Sequence, residues 1–292
     1  MKILKGGRIV RNSHAEAEPL DMLINDAGRI ARLGADLPAS DATVIELHGQ
    51  LVAPAFIDMH QHLDKSLSIV EAPNPEGTLA GAAQAFMRLA PSLDAACITR
   101  RARRTLDMCL AHGTVAIRSH TNVDHEMQMR GIDALLDLQQ DYRERLHLDV
   151  VAFMSSSAVR GDLNAARKLL EAALDAGANT VGGAPNFSPD PPAFIDMLLD
   201  VAMQRGCLID LHVDETLDPN ARCLEYLAQR VRELGLGGRV VAGHCSALYA
   251  MPSDDAARLM DAVQASGMGM VTLPAANLFL QAREHSRLPA RA

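Results

Sequence analysis

LVAPAFIDMHQHLDK, residues Leu51 to Lys65, decides how the chain is read. A short apolar run ends in His60-Gln61-His62 and is followed at once by Asp64 and Lys65. In an extended strand the side chains at i and i+2 point to one face, so His60 and His62 project together from the end of one strand. Two imidazoles so placed suit a divalent metal. An isolated H-x-H pair is a weak signal. Here it closes an apolar strand, and further histidines fall at the ends of later strands.

Downstream the pattern alternates. Apolar runs at 51–59, 114–120, 147–154, 179–183, 207–213, 239–245 and 267–273 read as strands. Amphipathic stretches at 79–111 (interrupted near Pro91), 124–142, 163–176, 192–205, 221–234 and 254–266 read as helices. Strands separated by helices, repeating at roughly 30-residue spacing, imply parallel pairing through right-handed crossovers. The fold class expected is therefore α/β: an incomplete TIM (β/α)8 barrel with seven strands present, spanning 51–292. The competing architecture is a doubly wound open sheet. The barrel is preferred because polar residues cluster at the C-terminal ends of strands along the whole run, whereas an open sheet concentrates them at one switch point. Upstream, residues 1–50 break into short strands punctuated by Gly, Asn-Asp and Pro, the pattern of a small β-domain with no catalytic constellation.

Composition narrows the class. The 292 residues are 48% hydrophobic and 22% charged, as in a folded globular chain. Aromatics make up only 3% and Trp is absent, so the core must come from Leu, Ala, Val, Ile and Met. The formal charge of -8 argues against nucleic acid as a partner. No stretch reaches the roughly 18 apolar residues that span a membrane. The first ten residues are too short and polar for a signal peptide. Five cysteines (Cys97, Cys109, Cys207, Cys223 and Cys245) show no framework spacing and read as reduced thiols. The compartment expected is the cytoplasm, the partner a small molecule, and association into a homo-oligomer is compatible with the chain.

The chemistry falls at the strand ends. His60 and His62 end the first barrel strand, Asp210-Leu211-His212-Val213-Asp214-Glu215 the fifth, and Gly243-His244-Cys245 the sixth. In a barrel these ends meet at one mouth. His60, His62 and His212 can hold one Zn²⁺ or Fe²⁺ with positions left for water, whose pKa the ion lowers. Glu215, three residues past His212, is placed to move a proton between that water and a leaving nitrogen. His244 is placed to orient the nucleophile or to stabilise charge on the attacked centre. A single histidine at a strand end is more often structural than a ligand, and His120 adds no obvious ligand geometry. Asp64 reads as an acceptor behind a ligating histidine or as a loop cap. Cys245 reads as buried filler. His14, His48, His112, His125, His147 and His285 receive no role.

PAFIDMHQHLDK, RSHTNVD, DLHVDE, GHCSAL and LPAANLFLQAR, in this order, resemble the amidohydrolase superfamily, and within it the cytosine deaminase branch with its N-substituted aminotriazine amidohydrolases. The resemblance covers essentially the whole chain. It implies a metal-dependent barrel with a small β-sandwich built from both chain ends, 1–50 forming half of it. It implies one metal on His60, His62 and His212, a proton shuttle at Glu215 and an imidazole beside the reacting water at His244. The fourth strand, 179–185, has no Lys to bridge a second metal, which favours the single-metal type. The reaction implied is hydrolysis of a C–N bond other than a peptide bond, on a small heterocyclic amine or amide. Ser155, Asn122 and Asn277 are the expected substrate-side contacts. Ser155 stands where cytosine deaminases carry a Gln, and a hydroxyl lacks the paired donor and acceptor of a carboxamide, which turns the expectation from cytosine to a related ring. Ala55 replaces a usual Gly. The family pattern also continues into an eighth strand whose Asp ligates the metal. The 292 residues do not reach it, so impaired activity is the expectation for this stretch alone. The alternatives left open are hydrolysis of a cyclic or linear amide in the same barrel, and a non-catalytic truncated relic.

Overall fold

Pro54 divides the run that was expected to form one strand over 51–59. Leu51–Val52 pairs with the N-terminal strand, and the barrel strand begins only at Phe56. Proline has no N–H to donate to a sheet ladder, so the chain changes sheets there. The structure, a computed structural model, describes residues 1–11, 16–39, 41–155, 158 and 162–281. It contains two compact units, Met1–Phe56 and the residues from Ile57 onward. His14, His285, Ser156 and Ser157 lie outside the described residues.

The first unit is a mixed sheet. Strands β1 (Lys2–Ile9), β2 (Glu18–Ile24), β3 (Ile30–Gly34) and β4 (Thr43–Glu46) lie in the order β3-β2-β1-β4, and β5 (Leu51–Val52) also pairs with β1. β1 runs antiparallel to β2 and parallel to β4 and β5, with a register shift between Leu4 and Gly7. The strand itself is continuous through that irregularity, one element where the sequence suggested brief separate ones.

The second unit alternates strand and helix. Its elements are β6 (Phe56–Gln61), α1 (Leu79–Leu89), α2 (Ala95–Ala111), β7 (Thr114–Val123), α3 (Arg130–Tyr142), β8 (His147–Met154), α4 (Leu163–Ala176), β9 (Thr180–Gly183), α5 (Pro191–Arg205), β10 (Leu208–Val213), α6 (Cys223–Glu233), β11 (Val240–His244), α7 (Ala247–Ala250), α8 (Ser253–Ser266), β12 (Gly269–Val271) and α9 (Pro274–Leu280). The seven strands form one parallel, nearly closed barrel sheet in sequence order, with β6 and β12 at its edges. The open-sheet alternative fails because that order never reverses, so there is no switch point.

Local chemistry sets the helix boundaries. Thr78, Asp94, Asp162 and Asp190 each accept a backbone N–H of the first turn of α1, α2, α4 and α5. Pro91 falls in the 3-10 turn separating α1 from α2. One helix starts later than the pattern suggested: α3 begins at Arg130, not at 124. The Asp124 carboxylate closes a turn by accepting the N–H groups of Glu126 and Met127, and Gln128 sits at φ 46°. β7 correspondingly runs on past His120 to Val123.

The core is aliphatic, as the scarcity of aromatics required. β8 is buried from Leu148 to Met154, as expected of a strand covered on both faces. The same cluster takes in Leu135 and Leu138 of α3, Leu198 of α5 and Leu227 of α6. Among the described residues no helix is long and apolar enough to cross a membrane.

Candidate active site

Each barrel strand delivers residues to one cavity of about 280 Å³. β6 supplies His60, with His62 just beyond it, and β7 supplies Asn122, with Asp124 just beyond it. β8 supplies Phe153, with Ser155 following, and Ala184 follows β9. His212 lies on β10, with Glu215 following, His244 ends β11, and Leu273 follows β12. Polar side chains therefore meet at the C-terminal face because the parallel strands of the nearly closed sheet all end there.

Three imidazoles converge within the cavity. His60 Nε2 lies 3.1 Å and His62 Nε2 3.0 Å from His212 Nε2. Tetrahedral zinc with bonds near 2.0–2.1 Å sets its nitrogens about 3.3 Å apart, so the spacing fits one ion. His62 Nδ1 donates to the carbonyl of His120 at 2.9 Å, which leaves its Nε2 as a lone pair. His212 Nε2 carries at most one hydrogen in the neutral ring and cannot serve both neighbours. At least one N···N contact therefore lacks a shared proton, an arrangement that a bound cation resolves. Burial, then the neighbouring imidazoles, hold His212 well below the usual histidine range, and burial does the same for His60. Burial and the Lys65 ammonium depress His62. Neutral imidazole is the form a divalent metal requires.

Two acid–base groups flank the cluster. Glu215 Oε1 lies 3.3 Å from His244 Nδ1. Burial pushes the Glu215 carboxyl up to about 8, with Lys65 pulling it back. Burial lowers His244 to about 4, opposed by its hydrogen bond to Asn277. With Nδ1–H donating to Asn277 Oδ1 at 3.2 Å, the buried His244 Nε2 is an acceptor without a protein partner among the described residues.

The opposite wall is a polar cluster on Asp124. Its Oδ2 accepts from Ser155 Oγ at 2.6 Å and from Asn122 Nδ2 at 3.2 Å. Asn122 Oδ1 accepts from the Lys65 ammonium, which stands over the Phe86 ring at 4.6 Å. Ser155 and Asn122 line the cavity; Asn277 lies behind His244 instead. Asp64 accepts the N–H of Asn122 at 2.9 Å, so it clamps the β7 end and touches no imidazole nitrogen.

Sequence reasoning gave no role to Lys65, Asp124 and Phe153, all cavity-lining, or to Asp210, and weighed His120 without finding ligand geometry for it; His120 Nε2 lies 3.0 Å from Asp210 Oδ1. The chain holds only 6 Phe, and Phe86, Phe153 and Phe187 line this cavity; their scarcity was the available signal. Asp210 was legible as the residue sharing a strand face with His212.

Fold and site together define a (β/α)-barrel protein with a histidine-rich, metal-competent mouth at the C-terminal face. Residues 51–278 match the Amidohydrolase family, and the chain belongs to it. It is 32% identical over 275 residues to a pterin deaminase of Rhizobium rhizogenes strain K84, covering 92% of this chain and 60% of that protein. It is 26% identical over 272 residues to the N-isopropylammelide isopropyl amidohydrolase of Pseudomonas sp. strain ADP, covering 90% of this chain and 67% of that one. The crystal structure of 5-methylcytosine deaminase from Klebsiella pneumoniae liganded with 5-fluorocytosine superposes with a TM-score of 0.88 at 28% identity, covering 99% of this chain and 70% of that chain. The chain thus spans about two thirds of the length of these relatives.

Proposed function

We propose that the protein is a metal-dependent hydrolase that removes an amino group from a small, flat nitrogen heterocycle. The observation that carries this reading is the convergence of His60, His62 and His212 beside Glu215, in a cavity walled by three phenylalanines. Its volume of about 280 Å³ is near the lower end of small-molecule sites, about 300–1,000 Å³. The relatives named as deaminases of pterin and 5-methylcytosine support a ring substrate.

His60, His62 and His212 would hold one divalent ion, Zn²⁺ or Fe²⁺. When bound there, such an ion acts as a Lewis acid and brings the pKa of a water towards neutrality. The strand β9 ends in Gly182 and Gly183, so it offers no side chain to bridge a second ion. Phe153 and Phe86 line the cavity and supply aromatic surface for a flat ring.

Glu215 does the proton work. At neutral pH its carboxyl is protonated, so it gives its proton to a ring nitrogen as the carbon bearing the amine becomes tetrahedral. It then takes a proton from the attacking water and passes it to the leaving amine, and the water's second proton, given up as the C=O forms and the C–N bond breaks, restores the carboxyl. His244, held neutral and oriented by Asn277, presents Nε2 beside the attacked carbon and accepts a hydrogen bond there. Ser155 and Asn122, braced on Asp124, orient the far edge of the ring.

Ammonia release from a panel of pterins, aminopyrimidines and aminotriazines, with the purified protein loaded with Zn²⁺ or Fe²⁺, tests the reading. Release from at least one ring, lost in Glu215→Gln, is expected. Ring opening of a cyclic amide with no ammonia from any exocyclic amine would replace it with the amide-hydrolysis alternative. Turnover of nothing, with no metal retained, would leave the non-catalytic relic.

A further inference from the structure

The reading above leaves one fully buried histidine without a task. His120, on β7, is 0% exposed. Its ring stacks on that of His60, with centroids 4.2 Å apart and planes inclined by 29°. Its Nε2 stands 3.0 Å from Asp210 Oδ1. The other Asp210 oxygen accepts from Arg118 Nη1 at 2.9 Å, and Arg118 Nε donates to Asp149 Oδ2 at 2.6 Å. A chain of charged groups thus crosses β7, β8 and β10 and ends on one flat ring pressed against His60.

His60, His120 and Asp210 bring ligand atoms within 4.8 Å of one another, which raises a second ion as an option. The stack speaks against it. An imidazole binds metal in its own plane, and two nearly parallel rings present faces to each other, not lone pairs. Arg118 already supplies the positive charge that Asp210 requires.

His60 and His62 are oriented by different means. The Nδ1 of His62 is tied to a carbonyl, the usual device that fixes a ligating imidazole. The Nδ1 of His60 is buried and has no hydrogen-bond partner among the described residues. The outer torsion of a histidine side chain is broad, so a ring without such a bond is held only by what packs on its faces. The ring stacked there is His120; the His212 ring lies 4.4 Å away but tilted by 46°, and that of His244 meets it edge-on.

We infer that His120 is a positioning residue: its face sets the plane of the His60 ring and so the direction of Nε2. This rests on the reading that the three imidazoles hold a metal. The test is competition between a chelator and the metal-free protein for Zn²⁺, with the absorption spectrum of the Co²⁺ form as a second readout. His120→Ala is expected to weaken affinity about 10–100-fold, the range seen when groups that orient metal ligands are removed. His120→Phe keeps the ring face, loses both nitrogens, and is expected to retain wild-type affinity and an unchanged Co²⁺ spectrum. Should His120→Ala not fold, His120→Asn supplies the loss arm. Affinity in His120→Phe as low as in His120→Ala would overturn the inference, as would two ions per wild-type chain and one in His120→Phe. A wild-type protein that takes up no ion at all would instead sink the metal-hydrolase reading, before any variant is compared.

Discussion

Replacing Glu215 by Gln tests the electrostatics of the site without any substrate. In the folded chain the carboxyl is pushed from 4.5 up to about 8 by burial. Between these two values the folded state holds a proton that the unfolded state has lost. The protonated carboxyl therefore contributes stability that is fully present below pH 4.5 and is lost as pH rises through about 8. At roughly 1.4 kcal/mol per pH unit the ceiling is about 5 kcal/mol. The group is nearly buried, and rotation towards the cavity water lowers that ceiling, so a loss of at least about 2 kcal/mol is expected. Gln fills the same volume and does not titrate. The assay is urea unfolding of metal-free wild type and Glu215→Gln from about pH 5 to about pH 9. The imidazoles titrate in both proteins, so the difference between the two curves isolates Glu215. Wild type should lose stability relative to the variant across the window. Curves that stay parallel would refute the claim that this carboxyl is held protonated at neutral pH.

Other outcomes are as concrete. His212→Ala removes the nitrogen shared by the two close contacts and should leave the protein without stoichiometric metal after dialysis, read by elemental analysis. Lys65→Met removes the ammonium that opposes burial at Glu215, so in that background the pH at which the stability lost relative to its Glu215→Gln counterpart levels off should move above about 8, in the same urea series. Gly182→Ala sets a methyl 2.5 Å from Val151 Cγ1 and 3.1 Å from the Asp210 carbonyl, and should destabilise by about 1–3 kcal/mol in thermal unfolding.

Much of the barrel was legible because its signals are local. Parallel strands buried on both faces read as apolar runs, and H-x-H on one of them puts two imidazoles on one face. His212 and His244 were legible as polar residues closing such runs. What the sequence hid depends on distant parts of the chain. His120 pairs with Asp210, ninety positions on by the sequence numbering, and nothing near either residue announces the contact. Lys65 reaches the cavity only because Leu63–Lys65 forms a 3-10 turn that carries it back to Asn122. Asp124 read as the start of a helix because Asp favours that position; its carboxylate closes a turn and braces the cavity wall. The split at Pro54 was missed because an apolar run and a proline together do not say which sheet each half joins.

The backbone separates the metal-competent imidazoles from the acid–base groups. His60 and His212 lie within regular strands, and the face to which each side chain projects follows from the pleat. Glu215 and His244 are delivered by left-handed residues: Asp214 at φ 48°, His244 at φ 69° and Cys245 at φ 51°. Non-glycine residues there cost about 1–2 kcal/mol each and persist only where surrounding contacts hold them. Here the contacts are identifiable. The Asp214 carboxylate accepts the N–H groups of Cys223 and Leu224, and its own N–H donates to Asn186 Oδ1 at 2.7 Å. The Cys245 N–H donates to the Val213 carbonyl at 2.9 Å, which ties the end of β11 to the end of β10. These bonds hold the two turns that bring Glu215 and His244 within 3.3 Å of each other. Strain therefore sits at Asp214, His244 and Cys245, where β10 and β11 end beside the Glu215–His244 contact, whereas His60, His62 and His212 themselves have ordinary backbone angles, as expected if an imidazole on a strand needs no bend to reach the cavity and Glu215 and His244 need one to reach each other.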